Sequence, residues 1–161
     1  MKILILGAGR VGSSLASTLS RQEYEVSIVD LNKDKLLRLQ QDYDLATEIG
    51  HASHPITLEK AGADEETIVL AVTNSDECNI TSCQIAKSKF NVKKTICRLS
   101  DSSYLESLKA FGEDNIDIAI GPENEVTEHL VDLIKHPGAE QIESFANGSL
   151  KAVSVKARKD G

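Results

Sequence analysis

The 161 residues, 40% of them hydrophobic and 27% charged, suit one packed domain with a short appendage. A net charge of −7 argues against general affinity for nucleic-acid phosphates, and no apolar run approaches the roughly 18 residues of a membrane span. The opening MKILILGAGR is too short an apolar stretch for a signal peptide, so the chain reads as cytosolic.

Taken in chain order, apolar runs at Ile3–Leu6, Val26–Val29, Leu45–Ile49 (the weakest), Ile68–Val72, Thr95–Cys97 and Ile116–Ile120 predict strands. Several are nearly continuous, as strands buried on both faces of a parallel sheet must be. Helical spacing separates them: Val11, Leu15, Ala16 and Leu19 make one stripe, and Leu36, Leu37 and Gln40 a weaker one. Ile80, Cys83, Ile85 and Ala86 make a third, Leu105 and Leu108 a fourth, and Val126, Leu130, Val131 and Ile134 a fifth. Repeated units of this size predict a doubly wound α/β fold with helices on both faces of a parallel sheet. Pro122 falls where a first-turn proline is tolerated and Pro137-Gly138 closes the last long helix, so residues 1–136 read as one domain.

Beyond it, Ala139–Ala146 and Ser149–Ala157 flank Asn147-Gly148, the signal for a type I′ turn, and predict a C-terminal β-hairpin. A hairpin is marginal alone, so residues 137–161 are expected to begin a further domain or to form an oligomer contact, and the chain to be a piece of something longer. Lys151, Lys156, Arg158 and Lys159 against Asp160 give residues 149–161 a local +3 on a body of −10, which reads as a solvated basic end. Cys78, Cys83 and Cys97 form no CxxC pair and read as small buried hydrophobes. His51, His54, His129 and His136 have no metal-ligand spacing.

The chemistry-bearing motif is ILILGAGRVG, where G-x-G-x-x-G falls on Gly7, Gly9 and Gly12 between the first strand and the first helix. Gly7 permits the tight turn, Gly9 lets backbone approach a pyrophosphate, and Gly12 lets helix and strand sit close. The helix opening near Arg10–Val11 aims free N–H groups at phosphates, and Arg10 either sits over them or projects into solvent. Asp30, 18 positions beyond Gly12, can accept hydrogen bonds from ribose hydroxyls and would repel a 2′-phosphate, favouring NAD(H); its alternative role is to cap the following helix. Together these features make the expected sheet Rossmann-like.

Thr73 and Asn74 follow the fourth strand at the carboxyl edge where open α/β sheets bind ligands; their alternative is to cap the next helix. Arg98 ends the fifth strand on the same edge and could neutralise a phosphate, or pair with Asp101 or Asp76.

With GAGRVG and Asp30, the stretch Ile49–Glu77 (IGHASHPITLEKAGADEETIVLAVTNSDE) resembles the TrkA family of bacterial potassium-uptake regulators, whose nucleotide-binding unit is the RCK or KTN domain. The resemblance extends over NSDECNITSCQIAK (Asn74–Lys87), Arg98, GPENEVTEHLVDLIKHPGA (Gly121–Ala139) and the hairpin. It implies a regulatory subunit, not an enzyme, peripheral on the cytoplasmic face of the inner membrane. Such a subunit binds NAD(H), or ATP and ADP at the same site, and changes shape to gate a membrane-embedded potassium transporter. It also implies a homo-oligomer, a dimer or tetramer. Carried over, the cofactor-binding positions are Gly7, Ala8, Gly9, Arg10, Val11, Gly12, Asp30, Thr73, Asn74 and Arg98. Many relatives carry Gly-Asp where this chain has Gly50-His51, which makes His51 the candidate adenine-side contact.

Two other classes remain open at this point. An NAD-dependent oxidoreductase fragment lacking its substrate domain would need a placed acid or base, and no Tyr-x-x-x-Lys pair or catalytic histidine setting is present. An assembly domain with a vestigial loop would not need Gly7, Gly9, Gly12 and Asp30 together.

Overall fold

The computed structural model describes residues 1–111, 116–121, 139–145 and 150–155, which fall into two units, 1–121 and 122–161. The first unit runs β1 (Lys2–Leu6), α1 (Arg10–Arg21), β2 (Glu25–Asp30), α2 (Lys33–Asp42), β3 (Ala46–Ile49), α3 (Pro55–Lys60), β4 (Thr67–Ala71), α4 (Asp76–Phe90), β5 (Lys94–Arg98), α5 (Ser102–Phe111) and β6 (Ile118–Ile120). Its six strands are all parallel in the order β3-β2-β1-β4-β5-β6. That order is the doubly wound Rossmann arrangement, with the reversal of direction between β1 and β4.

Period-2 alternation splits each central strand between two cores. On β1, Leu4 and Leu6 join Leu58, Val69, Cys83 and Leu99 on the face covered by α3, α4 and α5. Ile3 and Ile5 join Ala16, Ile28, Leu36 and Leu39 on the face covered by α1 and α2. Cys83 and Cys97 are fully buried; the neighbouring Cys97 sulfur and then burial push the Cys83 thiol upward, so it stays neutral and packs as a small hydrophobe.

Three details differ from the apolar pattern. The short α3 was hidden within the Ile49–Glu77 stretch, because six residues give too little periodicity and Ile56 is 62% exposed; Pro55 in its first turn is the residual signal. The α1 stripe loses Val11 (42% exposed) and the α2 stripe loses Leu37 (43% exposed), while Leu36 and Leu39 carry the α2 contact. The edge strand β6 starts at Ile118, not Ile116, because a side chain substitutes for the ladder there. Asp117 accepts from the Thr95 N–H (2.7 Å), the Thr95 hydroxyl (3.0 Å) and Lys87 Nζ (3.0 Å), and its own N–H donates to the Thr95 hydroxyl (3.0 Å).

In the second unit β7 (Ala139–Phe145) and β8 (Leu150–Val155) pair antiparallel, with Phe145 opposite Leu150. The Asn147-Gly148 turn and the helix expected over 122–136 lie outside the described residues.

The tightest constraint is where α1 leaves β1. Gly7 has φ +103°, and a Cβ there would lie 3.0 Å from the Thr73 backbone; a Cβ on Gly12 would overlap the Gly7 carbonyl oxygen. Gly12→Ala is therefore expected to cost stability at the upper end of the ~1–3 kcal/mol typical of overpacking, since the obstacle is backbone and cannot rotate away. Urea unfolding of the variant checks this.

Burial pushes the Asp117 carboxyl up, but hydrogen bonds from Lys87 and Thr95 prevail and hold it below the ordinary carboxylate range. A carboxylate with a depressed folded value stabilises fully above its unfolded value of about 3.9, and that contribution disappears as pH falls through the folded value. Asp117→Asn should therefore be less stable than the parent at pH 6 and lose less on acidification to pH 3, in a pH series of thermal melts.

Candidate functional site

The carboxyl ends of the parallel strands open onto a cleft of about 570 Å³. Its walls include Gly7, Gly9, Asp30, His51, Thr73 and Asn74 from the sequence-derived set. Ala8, Arg10, Val11, Gly12 and Arg98 are not part of that wall. Ala8 is buried beneath it and Gly12 is buried in α1, whereas Arg10 and Val11 are exposed at the helix start. Arg98 is half-buried at the end of β5.

The glycine loop is shaped by backbone bonds and one carboxylate. The Gly7 N–H donates to Val29 O (2.8 Å), and the Val72 N–H to Leu6 O (2.9 Å), so the loop leaves the sheet between its two neighbouring strands. One oxygen of Asp30 accepts from the Ala8 N–H (2.6 Å) and the other from the Asn32 N–H (2.8 Å). Asp30 does not cap α2; Asn32 does, accepting from the Asp34 and Lys35 N–H groups. Each carboxylate oxygen retains a lone pair that a ribose hydroxyl could use.

The helices that open onto the cleft differ at their amino ends. α2 has the Asn32 cap with Asp34 in its first turn, and α4 has the Ser75 cap with Asp76 and Glu77. α1 starts at Gly9 with no side-chain cap and no acidic residue in its first turn. A Cβ on Gly9 would meet nothing within 4 Å. Among the described residues no side-chain cap or first-turn carboxylate thus offsets the positive dipole end of α1, which is the arrangement that binds phosphate.

Past β4, neither Thr73 nor Asn74 is the helix cap, because Ser75 accepts from the Cys78 N–H (3.1 Å). Thr73 is instead bound to Asn79, a fully buried residue of α4. Asn79 Oδ1 accepts from the Thr73 N–H (2.9 Å) and hydroxyl (2.7 Å), while its Nδ2 donates to Thr73 O (3.2 Å) and Arg98 O (2.9 Å). Asn74 is exposed on the cleft wall.

Arg98 makes no ion pair with Asp76 or Asp101 among the described residues. Asp76 accepts from the Ser100 and Asp101 N–H groups (2.9 and 2.8 Å), and Arg98 Nη1 reaches Thr73 O at 3.5 Å.

His51 sits on the opposite wall with its Nδ1 against the Ser53 N–H (3.3 Å) and hydroxyl (2.9 Å). A Cβ at Gly50 would approach Thr57 Oγ1 to 2.6 Å, so glycine is what lets α3 fold back against β3 and set His51 there.

The sequence reading missed Lys35, Ser53, Glu77, Cys78 and Thr81, which also line the cleft, and Asn79 beneath it. Lys35 is the one basic side chain other than histidine on the described wall. Glu77 is held below the ordinary carboxylate range by its own N–H, then by the Ser75 and Tyr104 hydroxyls. The available signal for Asn79 was an asparagine three residues beyond Asp76 and four before Cys83, on the helix face that turns inward. No group of three or more His, Cys, Asp or Glu residues is placed to hold a metal among the described residues.

The family model for the TrkA-N domain matches residues 3–122. The chain belongs to the TrkA-N domain family. Among curated relatives, this TrkA-N chain is 44% identical over 160 residues to the Trk system potassium uptake protein TrkA of Vibrio alginolyticus, covering 98% of this chain and 35% of that protein. It is 41% identical over 159 residues to the protein of the same name from Halomonas elongata, with the same coverage. It thus spans about a third of the length of those relatives.

Among solved structures, the TrkA-N domain of inner membrane protein ybaL from Escherichia coli superposes with a TM-score of 0.68, at 18% identity over 83% of this chain and 96% of that one. The GsuK channel bound to NAD gives 0.66 at 16% identity, over 91% of this chain and 25% of that one. The Shewanella denitrificans Kef CTD in AMP-bound form gives 0.64 at 20% identity, over 84% and 82%. At these identities the likeness establishes the fold.

The Asp30 bridge makes a prediction about the TrkA-N fold without any ligand. Asp30→Ala leaves the Ala8 N–H, in a buried residue, without its acceptor and is expected to cost about 1–3 kcal/mol in urea unfolding of the free protein.

Proposed function

We propose that this chain is the nucleotide-sensing part of a regulatory subunit that gates a potassium-uptake transporter. NAD(H) is the ligand, with ADP and ATP taking the same cleft. The observation that carries the reading is the bare amino end of α1 over the open space at Gly9, beside a ribose-competent Asp30. A diphosphate fits where the N–H groups are unsatisfied, and Asp30 disfavours a 2′-phosphate, hence NAD(H) over its phosphorylated form.

Support for the transport role comes from relatives named as Trk system potassium uptake proteins, and for the ligand class from fold neighbours with NAD, AMP and ADP bound. Gating requires that the nucleotide bind two conformations unequally; a coupling of about 1–3 kcal/mol per site, multiplied over a homo-oligomer, gives a usable switch. The partner on this reading is a membrane-embedded transporter subunit, with the chain docked at its cytoplasmic face. No helix among the described residues is long and apolar enough to cross a membrane. Residues 137–161 then begin a further domain or supply an oligomer contact.

Calorimetric titration with NADH, NAD+, ADP and ATP, with a chromatographic mass before and after each, tests the reading. Saturable binding, a ligand-dependent mass or shape, and no consumption of NADH when hydroxy-acid or keto-acid substrates are added are the expected results. Asp30→Ala should weaken NADH by about tenfold, the loss of a charged hydrogen-bonding partner. Absence of binding by all four nucleotides would remove the sensing role, and turnover of NADH would point to a redox enzyme.

A further inference from the structure

Resting on the nucleotide-binding reading, we infer that Asn79 is a positioning residue that ties Thr73, on the cleft wall, to Arg98, outside that wall, so that the two act on a bound ligand as one unit. Asn79 lies wholly inside the protein and is not part of the cleft wall, yet all four of its side-chain hydrogen bonds among the described residues go to these two residues. Its oxygen takes the Thr73 N–H and hydroxyl, and its nitrogen donates to the carbonyls of Thr73 and Arg98. The Thr73 carbonyl also receives Arg98 Nη1, so backbone and guanidinium of Arg98 are both referred to the loop after β4.

Packing does not need an amide here. The neighbouring positions on the buried face of α4 include Ser82, Cys83 and Ala86, and a small apolar residue would fill the space but leave the Thr73 N–H and the Arg98 carbonyl without these partners. A carboxamide is the group that offers two acceptances and two donations in one plane, which is what tying two strand ends requires. Asp76 gives the structural counterpart on the same helix face. It binds the Ser100 and Asp101 N–H groups and has no bond to Thr73 or Arg98.

The position of this unit determines which part of a ligand depends on it. In the sheet order, Asp30 ends β2 and Arg98 ends β5, three strand spacings apart, or roughly 14 Å. A dinucleotide is long enough to engage both ends, whereas AMP anchored by its ribose at Asp30 relies little on Arg98. Removing the Asn79 amide should therefore weaken NADH much more than AMP, and a general loosening of the fold would weaken both alike.

The test is calorimetric titration of the wild-type chain, Asn79→Ala and Asp76→Asn with NADH and with AMP, at a temperature where circular dichroism shows each folded. For Asn79→Ala, NADH affinity should fall about tenfold and AMP affinity less than about threefold. Asp76→Asn should lower the melting temperature and leave the NADH-to-AMP ratio at its wild-type value. Equal losses for the two nucleotides in Asn79→Ala, or no loss, would overturn the proposal while leaving nucleotide binding intact. Failure of the wild-type chain to bind either nucleotide would remove the binding reading and this proposal with it.

Should Asn79→Ala not fold, Asn79→Asp keeps the volume, and a protonated carboxyl restores one donor. Its NADH affinity relative to wild type should rise as pH is lowered from 7 to 5, and a flat ratio would overturn the proposal.

Discussion

Everything at the carboxyl edge of this sheet follows from how closely one helix approaches one strand. Gly12 has no room for a side chain because its α-carbon faces the carbonyl oxygen of Gly7, and Gly7 itself sits in the left-handed region against the Thr73 backbone. That contact brings the start of α1 down onto the end of β1, where no side chain among the described residues caps its first N–H groups. The same closeness is why the loop needs a second anchor. Asp30 supplies it from the neighbouring strand through the Ala8 N–H. The carboxylate that a ribose would meet is thus already part of the scaffold, so a ligand meets a preformed group and not a mobile side chain.

The other side of the cleft is organised differently. There the backbone is held from behind by α4, through buried side chains. Asn79 fixes the end of β4 to the end of β5, and Asp76 fixes the β5–α5 connection. One wall is therefore set by glycine geometry and the other by a buried polar network, in which each member is satisfied and each deletion leaves an orphan.

How much of this was readable from the chain depended on whether the signal was local. The six strands and the glycine loop were legible because near-continuous apolar runs and G-x-G-x-x-G each declare themselves within a few residues. Asp30 was legible by its distance from Gly12, though its use as the loop's anchor was not, since a hydrogen bond across 22 residues leaves no spacing rule. Thr73 and Asn74 were placed on the right edge, but the cap fell to Ser75 beside them. α3 was missed because six residues hold less than two turns, and the late start of β6 because a side chain, Asp117, replaced backbone pairing. On α4 the predicted stripe of Ile80, Cys83, Ile85 and Ala86 does pack on the core, but the helix also turns Asp76, Asn79 and Ser82 inward. An amphipathic pattern is a reading of where carbon goes, and it fails where the interior has been given hydrogen-bonding work.

The unequal helix starts also give the cleft a direction. A dinucleotide is two nucleotides joined through their phosphates, and on outline alone it could lie either way round. Of α1, α2 and α4, two have already satisfied their amino ends with Asn32 or Ser75 and added carboxylates of their own. Of these three α1 alone is left uncapped for the diphosphate of the proposed ligand, and the Asp30 side, one strand away, offers a carboxylate bridging the loop to the next strand. An inverted ligand would set a different sugar and base against Asp30 and His51. On the proposed reading, orientation would thus follow from which of these helices are capped, before any base is recognised, and a sensor that reads one end of its ligand would require such a polarity.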